Sequence, residues 1–106
     1  MKIRRFGQVG TLKEDKIAEY TKLHSAVWPG VLKTINECNL RNYSIYIKGN
    51  QVFAYFEYTG TDYDLDMVKM GNDPVTIEWW KHTKPCFEGF DKGSFYEDMD
   101  EIFHFD

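Results

Sequence analysis

The chain has 106 residues, a formal net charge of −4, 42% hydrophobic and 17% aromatic residues, and two cysteines. That length gives one domain, residues 1–106, with a single core. The acidic balance without any basic stripe argues against nucleic acid, no apolar run approaches the roughly 18 residues of a membrane span, and two cysteines without CxxC spacing point to reduced thiols in a cytoplasmic protein.

Residues 2–9 read as a first strand, although Ile3, Phe6 and Val9 do not alternate strictly. Gly10 and Thr11 close it, and Thr11-Leu-Lys-Glu14 has the form of a capping box, which predicts a helix starting there. Ile17, Tyr20, Leu23 or His24, and Val27 follow at helical spacing. Pro29 removes a donor and holds Trp28 in extended geometry, so the helix breaks at Trp28. Pro29 suits the first position of a second helix, whose stripe is Val31 or Leu32, Ile35 and Cys38.

From Asn42 to Tyr58 the period becomes two. Tyr43, Ile45 and Ile47 alternate with Ser44, Tyr46 and Lys48; Val52, Ala54, Phe56 and Tyr58 alternate with Phe53, Tyr55 and Glu57. Gly49-Asn50 between them forms a two-residue turn, with Gly supplying the positive φ needed first, so the stretch is a β-hairpin. Both of its faces are bulky, and both should be covered. After Gly60, Thr61 or Asp62 caps a short helix with Leu65, Met67 and Val68 inside and Gly71 as its stop. Asp73-Pro74 opens another, holding Ile77, Trp79 and Trp80 and ending at Pro85. Residues 86–99 are irregular and acidic, pinned by Phe87, Phe90, Phe95 and Tyr96, and Glu101–Phe105 reads as a last short strand.

The order β-α-β-β-α-β is that of the ferredoxin-like unit, an α+β fold with a four-stranded antiparallel sheet and helices on one face. The two-sided aromatics of the hairpin suggest that the open sheet face is buried against a second copy, giving a homodimer of the dimeric α/β-barrel type. A pocket between sheet and helices is the natural place for a small ligand. Eighteen aromatics (eight Phe, seven Tyr, three Trp) exceed what so small a core consumes, so some should line that pocket or the interface.

Tyr20 and His24, four residues apart, share one helix face, with Trp28 one turn on. None of the three histidines has metal-ligand spacing, and no nucleophile elbow, phosphate loop or dinucleotide fingerprint occurs, so neither a metal nor a cofactor is expected. A buried, hydrogen-bonded histidine is the expectation for His82 and His104. His24 is then the group able to trade protons near neutral pH. Trp79-Trp80 suits a sugar, whose C–H faces stack on indole, although adjacent helical residues point about 100° apart, so at most one faces the ligand squarely.

Tyr20, His24-Ser-Ala-Val-Trp28-Pro29, Asn42-Tyr43-Ser-Ile-Tyr46, Trp79-Trp80-Lys81 and Glu101-Ile-Phe-His104 resemble, in order and spacing, the L-rhamnose mutarotase family across nearly the whole chain. The resemblance implies a cofactor-free, dimeric isomerase that interconverts the α and β anomers of a 6-deoxyhexose, with L-rhamnose the first choice of monosaccharide. It implies His24 as proton donor and Tyr20, Tyr43, Trp79 and Trp80 as sugar-binding groups, with Trp28 and His104 in support. The family's more familiar members carry other residues between the histidine and Trp-Pro, and the Thr83–Glu88 segment suggests a different branch. Rival readings are a cofactor-free monooxygenase or haem-type enzyme on the same dimeric fold, or a module that binds a sugar without turning it over.

Overall fold

The structure is a computed structural model describing residues 2–106. Strands β1 (Arg4–Thr11), β2 (Leu40–Lys48), β3 (Gln51–Tyr58) and β4 (Glu97–Met99) form one sheet, antiparallel throughout, in the order β2-β3-β1-β4. Helices α1 (Ile17–His24) and α2 (Pro29–Glu37) connect β1 to β2; α3 (Tyr63–Gly71) and α4 (Pro74–Thr83) connect β3 towards β4. This is the ferredoxin-like arrangement, with each crossover helix split in two. Among the described residues no helix is long and apolar enough to cross a membrane.

The splits follow from the prolines. Trp28 is extended (φ −62°, ψ 137°) and Pro29 is the first residue of α2, so α1 stops at His24 and the chain bends before resuming. Asp73 repeats the device at α4: its Oδ2 accepts the Thr76 amide at 2.9 Å, and Pro74 opens the helix. Asp62 caps α3, accepting from the Leu65 amide at 3.1 Å.

One sheet face carries the core. Val52, Ala54, Phe56 and Tyr58 of β3 are buried beneath the helices; Val52 joins a cluster with Leu12, Tyr20, Cys86 and Phe87, and Phe56 and Tyr58 join another with Cys38, Leu40 and Met70. Phe53 and Tyr55, the alternate residues of β3, are half-buried on the outer face, and Tyr46 beside Phe53 is 69% exposed.

Three expected features are absent. The capping box at Thr11 is not used, because Thr11 stays in β1 paired with Gln51 and its carbonyl accepts the Glu88 amide at 2.8 Å. A short 3-10 turn, Glu14–Lys16, leads into α1 instead. On α3 the inward residues are Tyr63, Met67 and Met70, while Leu65 and Val68 face solvent. The last strand is Glu97–Met99 rather than Glu101–Phe105. Phe95 and Tyr96 pack against the core and commit the residues just after them to the edge of β1, where Val9 pairs with Glu97 and Gly7 with Met99. Residues 101–106 have no regular structure; Glu101 is held by the Arg5 guanidinium at 2.8 and 3.0 Å, and Ile102, Phe103 and Phe105 project into solvent.

Candidate active site

Between the helix face of the sheet and α1, α2 and α4 lies a cavity of about 530 Å³, within the range that holds a small ligand. Helix α1 contributes Tyr20 and His24, whose rings lie 4.3 Å apart on one side of the helix, as four-residue spacing requires. The His24 Nδ1–H donates to the Tyr20 carbonyl oxygen at 2.9 Å. A carbonyl can only accept, so Nδ1 carries the hydrogen and Nε2 is the nitrogen left for a ligand. Burial holds the imidazole pKa below its ordinary 6.5, and the Nδ1 hydrogen bond offsets this only partly. The neutral form therefore prevails at neutral pH.

Tyr43 reaches the same cavity through a β-bulge. Between Arg41, opposite Glu57, and Ser44, opposite Tyr55, β2 fits two residues against the single Phe56, with Asn42 taking the strain at φ 51°. The extra residue turns Tyr43 onto the helix face, where its ring lies 5.2 Å from Phe56. Asn42 is fastened by its amide to Glu57 Oε1 at 2.9 Å. Tyr43 is 38% exposed as a whole, yet its hydroxyl end is desolvated enough to push the phenol above its ordinary pKa.

From α4, Trp79 and Trp80 both line the cavity. Trp79 is buried, with its ring edge-on to His24 at 5.4 Å and to Trp28 at 5.2 Å. Trp80 is half-buried and packs towards α3. Trp28 stands behind Trp79, outside the lining, with its ring also against His82 at 5.6 Å.

His104 lies outside the cavity, in the exposed tail, 2.7 Å from Asp106. His82 is likewise at the surface, 3.7 Å from Glu78. Neither is the buried histidine expected from sequence: His82 is on the outward side of α4, where Trp79 and Thr83 take the buried positions, and the tail that carries His104 is exposed throughout.

Other lining residues escaped the sequence, Tyr96 and Lys84 among them. Tyr96 hydrogen-bonds its hydroxyl to that of Tyr20 at 2.8 Å. Burial, reinforced by Tyr96, raises the Tyr20 phenol far above its ordinary value, so Tyr20 remains a neutral hydroxyl. Lys84, directly after α4, brings an ammonium to the wall. Both belong to segments without hydrophobic periodicity; only the aromatic density of residues 86–99 hinted at Tyr96. Among the described residues no Asp or Glu lines the cavity, and no group of three His, Cys, Asp or Glu side chains is placed to hold a metal. Beside the Lys84 ammonium, the site thus offers one imidazole nitrogen that can take and return a proton near neutral pH, phenols that donate and accept hydrogen bonds without ionising, and indole walls. Those features suit an uncharged polyol that reacts by proton transfer alone.

Comparison with known proteins agrees. A family model described as L-rhamnose mutarotase matches residues 5–105. An L-rhamnose mutarotase of Oceanobacillus iheyensis is 31% identical over 107 residues, covering 98% of this chain and 100% of the relative. One from Phocaeicola vulgatus is 31% identical over 91 residues, covering 83% and 85%. The crystal structure of an L-rhamnose mutarotase from Formosa agariphila superposes with a TM-score of 0.79 at 19% identity, over 97% of this chain and 99% of that one, and so shares the fold.

Proposed function

The chain belongs to the L-rhamnose mutarotase family, and from that premise we propose that His24 carries out the proton transfers by which it interconverts the α and β anomers of L-rhamnose. Opening the pyranose moves one proton from the anomeric hydroxyl to the ring oxygen while the C1–ring oxygen bond breaks and C1 becomes an aldehyde. Both oxygens sit on C1, so one imidazole nitrogen facing that carbon can take the proton from the first and deliver it to the second, directly or through a water. The C1–C2 bond then rotates, and the reverse transfer closes the ring as the other anomer. His24 is thus acceptor and donor in turn. The observation that carries this reading is the His24 geometry: Nδ1 is committed to the Tyr20 carbonyl, leaving a neutral Nε2 for the cavity.

Tyr20 and Tyr43, held as neutral phenols, orient the sugar hydroxyls, and the two indoles cover its apolar faces. Burial makes a phenolate costly at either tyrosine, which favours His24 over both as the shuttle. The half-buried Phe53 and Tyr55 on the outer sheet face, exposed Tyr46 and the apolar tail support a homodimer across that face. Two buried free cysteines fit a reducing cytoplasm.

The test is NMR saturation transfer between the two anomeric protons of L-rhamnose, with and without catalytic protein. Faster exchange is expected; binding without faster exchange would make the chain a sugar-binding module and defeat the reading.

A further inference from the structure

Lys84 is the one Asp, Glu, Lys or Arg residue among the described residues that line the cavity. Its Nζ lies 4.1 Å from the centroid of Trp80 and 4.2 Å from that of Phe95. Among the described residues no carboxylate comes within 4 Å of Nζ and no group hydrogen-bonds to it. The aromatic faces attract the cation but satisfy none of its three N–H donors. Desolvation lowers its pKa, with no charged neighbour contributing. In a chain of net charge −4 carrying 17 acidic residues, the cavity wall therefore holds a cation and no anion. Low-dielectric aromatic walls concentrate such a field on whatever enters.

A neutral 6-deoxyhexose has no use for a full positive charge. Its methyl group needs only apolar contact, and its hydroxyls are served by the phenols. We propose that Lys84 is a specificity-determining residue of the sugar site and gives it a further class of substrate, the hexuronates, which carry a carboxylate on C5 where a 6-deoxyhexose carries methyl. Anomer exchange in a hexuronate is the same proton shuttle between the anomeric and ring oxygens, so this proposal rests on the mutarotase reading of the cavity. A carboxylate fits better than a phosphate. Lys84 stands at the C-terminal end of α4, where the last carbonyls carry partial negative charge, and one ammonium there balances a monoanion but not a dianion.

The experiment compares anomer exchange of L-rhamnose, of hexuronates including L-mannuronate (its carboxylate counterpart) and of a hexose 6-phosphate, using the intact protein and saturation transfer. The wild type is expected to accelerate at least one hexuronate and not the phosphate. Lys84→Met and Lys84→Gln are expected to lower kcat/KM for the hexuronate relative to L-rhamnose by about tenfold or more, the scale of a hydrogen bond between charged groups. Lys84→Arg should restore part of that ratio. A structural role alone would shift Tm and lower both substrates together, leaving the ratio unchanged, and that result overturns the proposal. So does acceleration of L-rhamnose with no hexuronate affected, or a preference for the phosphate. Failure to accelerate any sugar would instead remove the mutarotase reading itself.

Discussion

A shuttle built on one nitrogen depends on the other nitrogen staying occupied. The Tyr20 carbonyl fixes the His24 tautomer and ring plane together, and Trp79 closes the ring's other side. Replacing His24 with Ala should remove the proton relay, costing about 10²–10⁴ in rate while the protein stays folded, as circular dichroism would show; full activity in the variant would move the shuttle elsewhere. The pH profile gives a second test. Because the reaction starts from neutral imidazole and burial depresses the pKa, activity should hold from neutral pH into mild acid and fall with a midpoint below 6.5. Activity that instead falls as pH rises through this range would mean that the protonated form starts the cycle, and a fall on acidification centred above 6.5 would mean that burial does not depress the His24 pKa. Tyr20, His24, Tyr43, Trp79 and Trp80 all line one cavity; helical spacing made the shared face of Tyr20 and His24 legible, whereas Tyr43 was placed at the site by the family resemblance alone. Tyr96 follows a turn that no pattern announces, and Lys84 lies where α4 passes into a 3-10 turn, beyond the apolar stripe of the helix. His104, expected in support from its place in a shared motif, lies in the exposed tail, because motif order says nothing about which way a side chain points, whereas Trp28 backs Trp79 at 5.2 Å.

At the scale of elements, the sheet's neighbours leave little slack. Gly10 of β1 is buried, and a Cβ there would lie 2.5 Å from Cε2 of the Phe87 ring and 2.8 Å from the Phe95 carbonyl oxygen. Gly10→Ala should therefore cost about 1–3 kcal/mol of stability through overpacking. Gly71, ending α3 with open space around it, is the matched control: Gly71→Ala should be neutral or stabilising by up to about 1 kcal/mol. Urea melts of the two variants with unchanged slope would establish the contrast; equal stability would show that the Phe95 segment yields freely. The hairpin, the proline breaks and the Asp73 cap were legible because each is a local rule satisfied by adjacent residues. The capping box failed because a long-range partner, the Glu88 amide, claimed the Thr11 carbonyl and kept it in the strand. The last strand was displaced for a similar reason: packing of Phe95 and Tyr96 into the core, invisible in local sequence, decides which three residues reach the β1 edge.

The whole molecule has one sheet face under helices and one that its own chain leaves uncovered. On that outer face Phe53 is flanked by Tyr46 and Val9 in register, and Tyr55 by Ser44 and Gly7. Tyr46 is 69% exposed, and Phe103, in the tail fastened by the Arg5–Glu101 pair, is 81% exposed. For a monomer these groups are an aggregation hazard; in a two-fold dimer the same patch on each subunit buries the other's. Burial there is driven by apolar area at about 25 cal/mol per Å², so a charge placed on the patch should oppose association without disturbing the separate core under the helices. Tyr46→Glu and Phe103→Asp should each shift the protein, by sedimentation equilibrium, from twice the chain mass of 12.6 kDa towards that mass, with Tm becoming independent of concentration. Because the cavity lies on the opposite face of the sheet, the dissociated variants should still accelerate anomer exchange. A wild type that sediments at 12.6 kDa would refute the dimer, and loss of exchange on dissociation would show that the partner's presence is needed to hold the sheet, and with it Tyr43, in place.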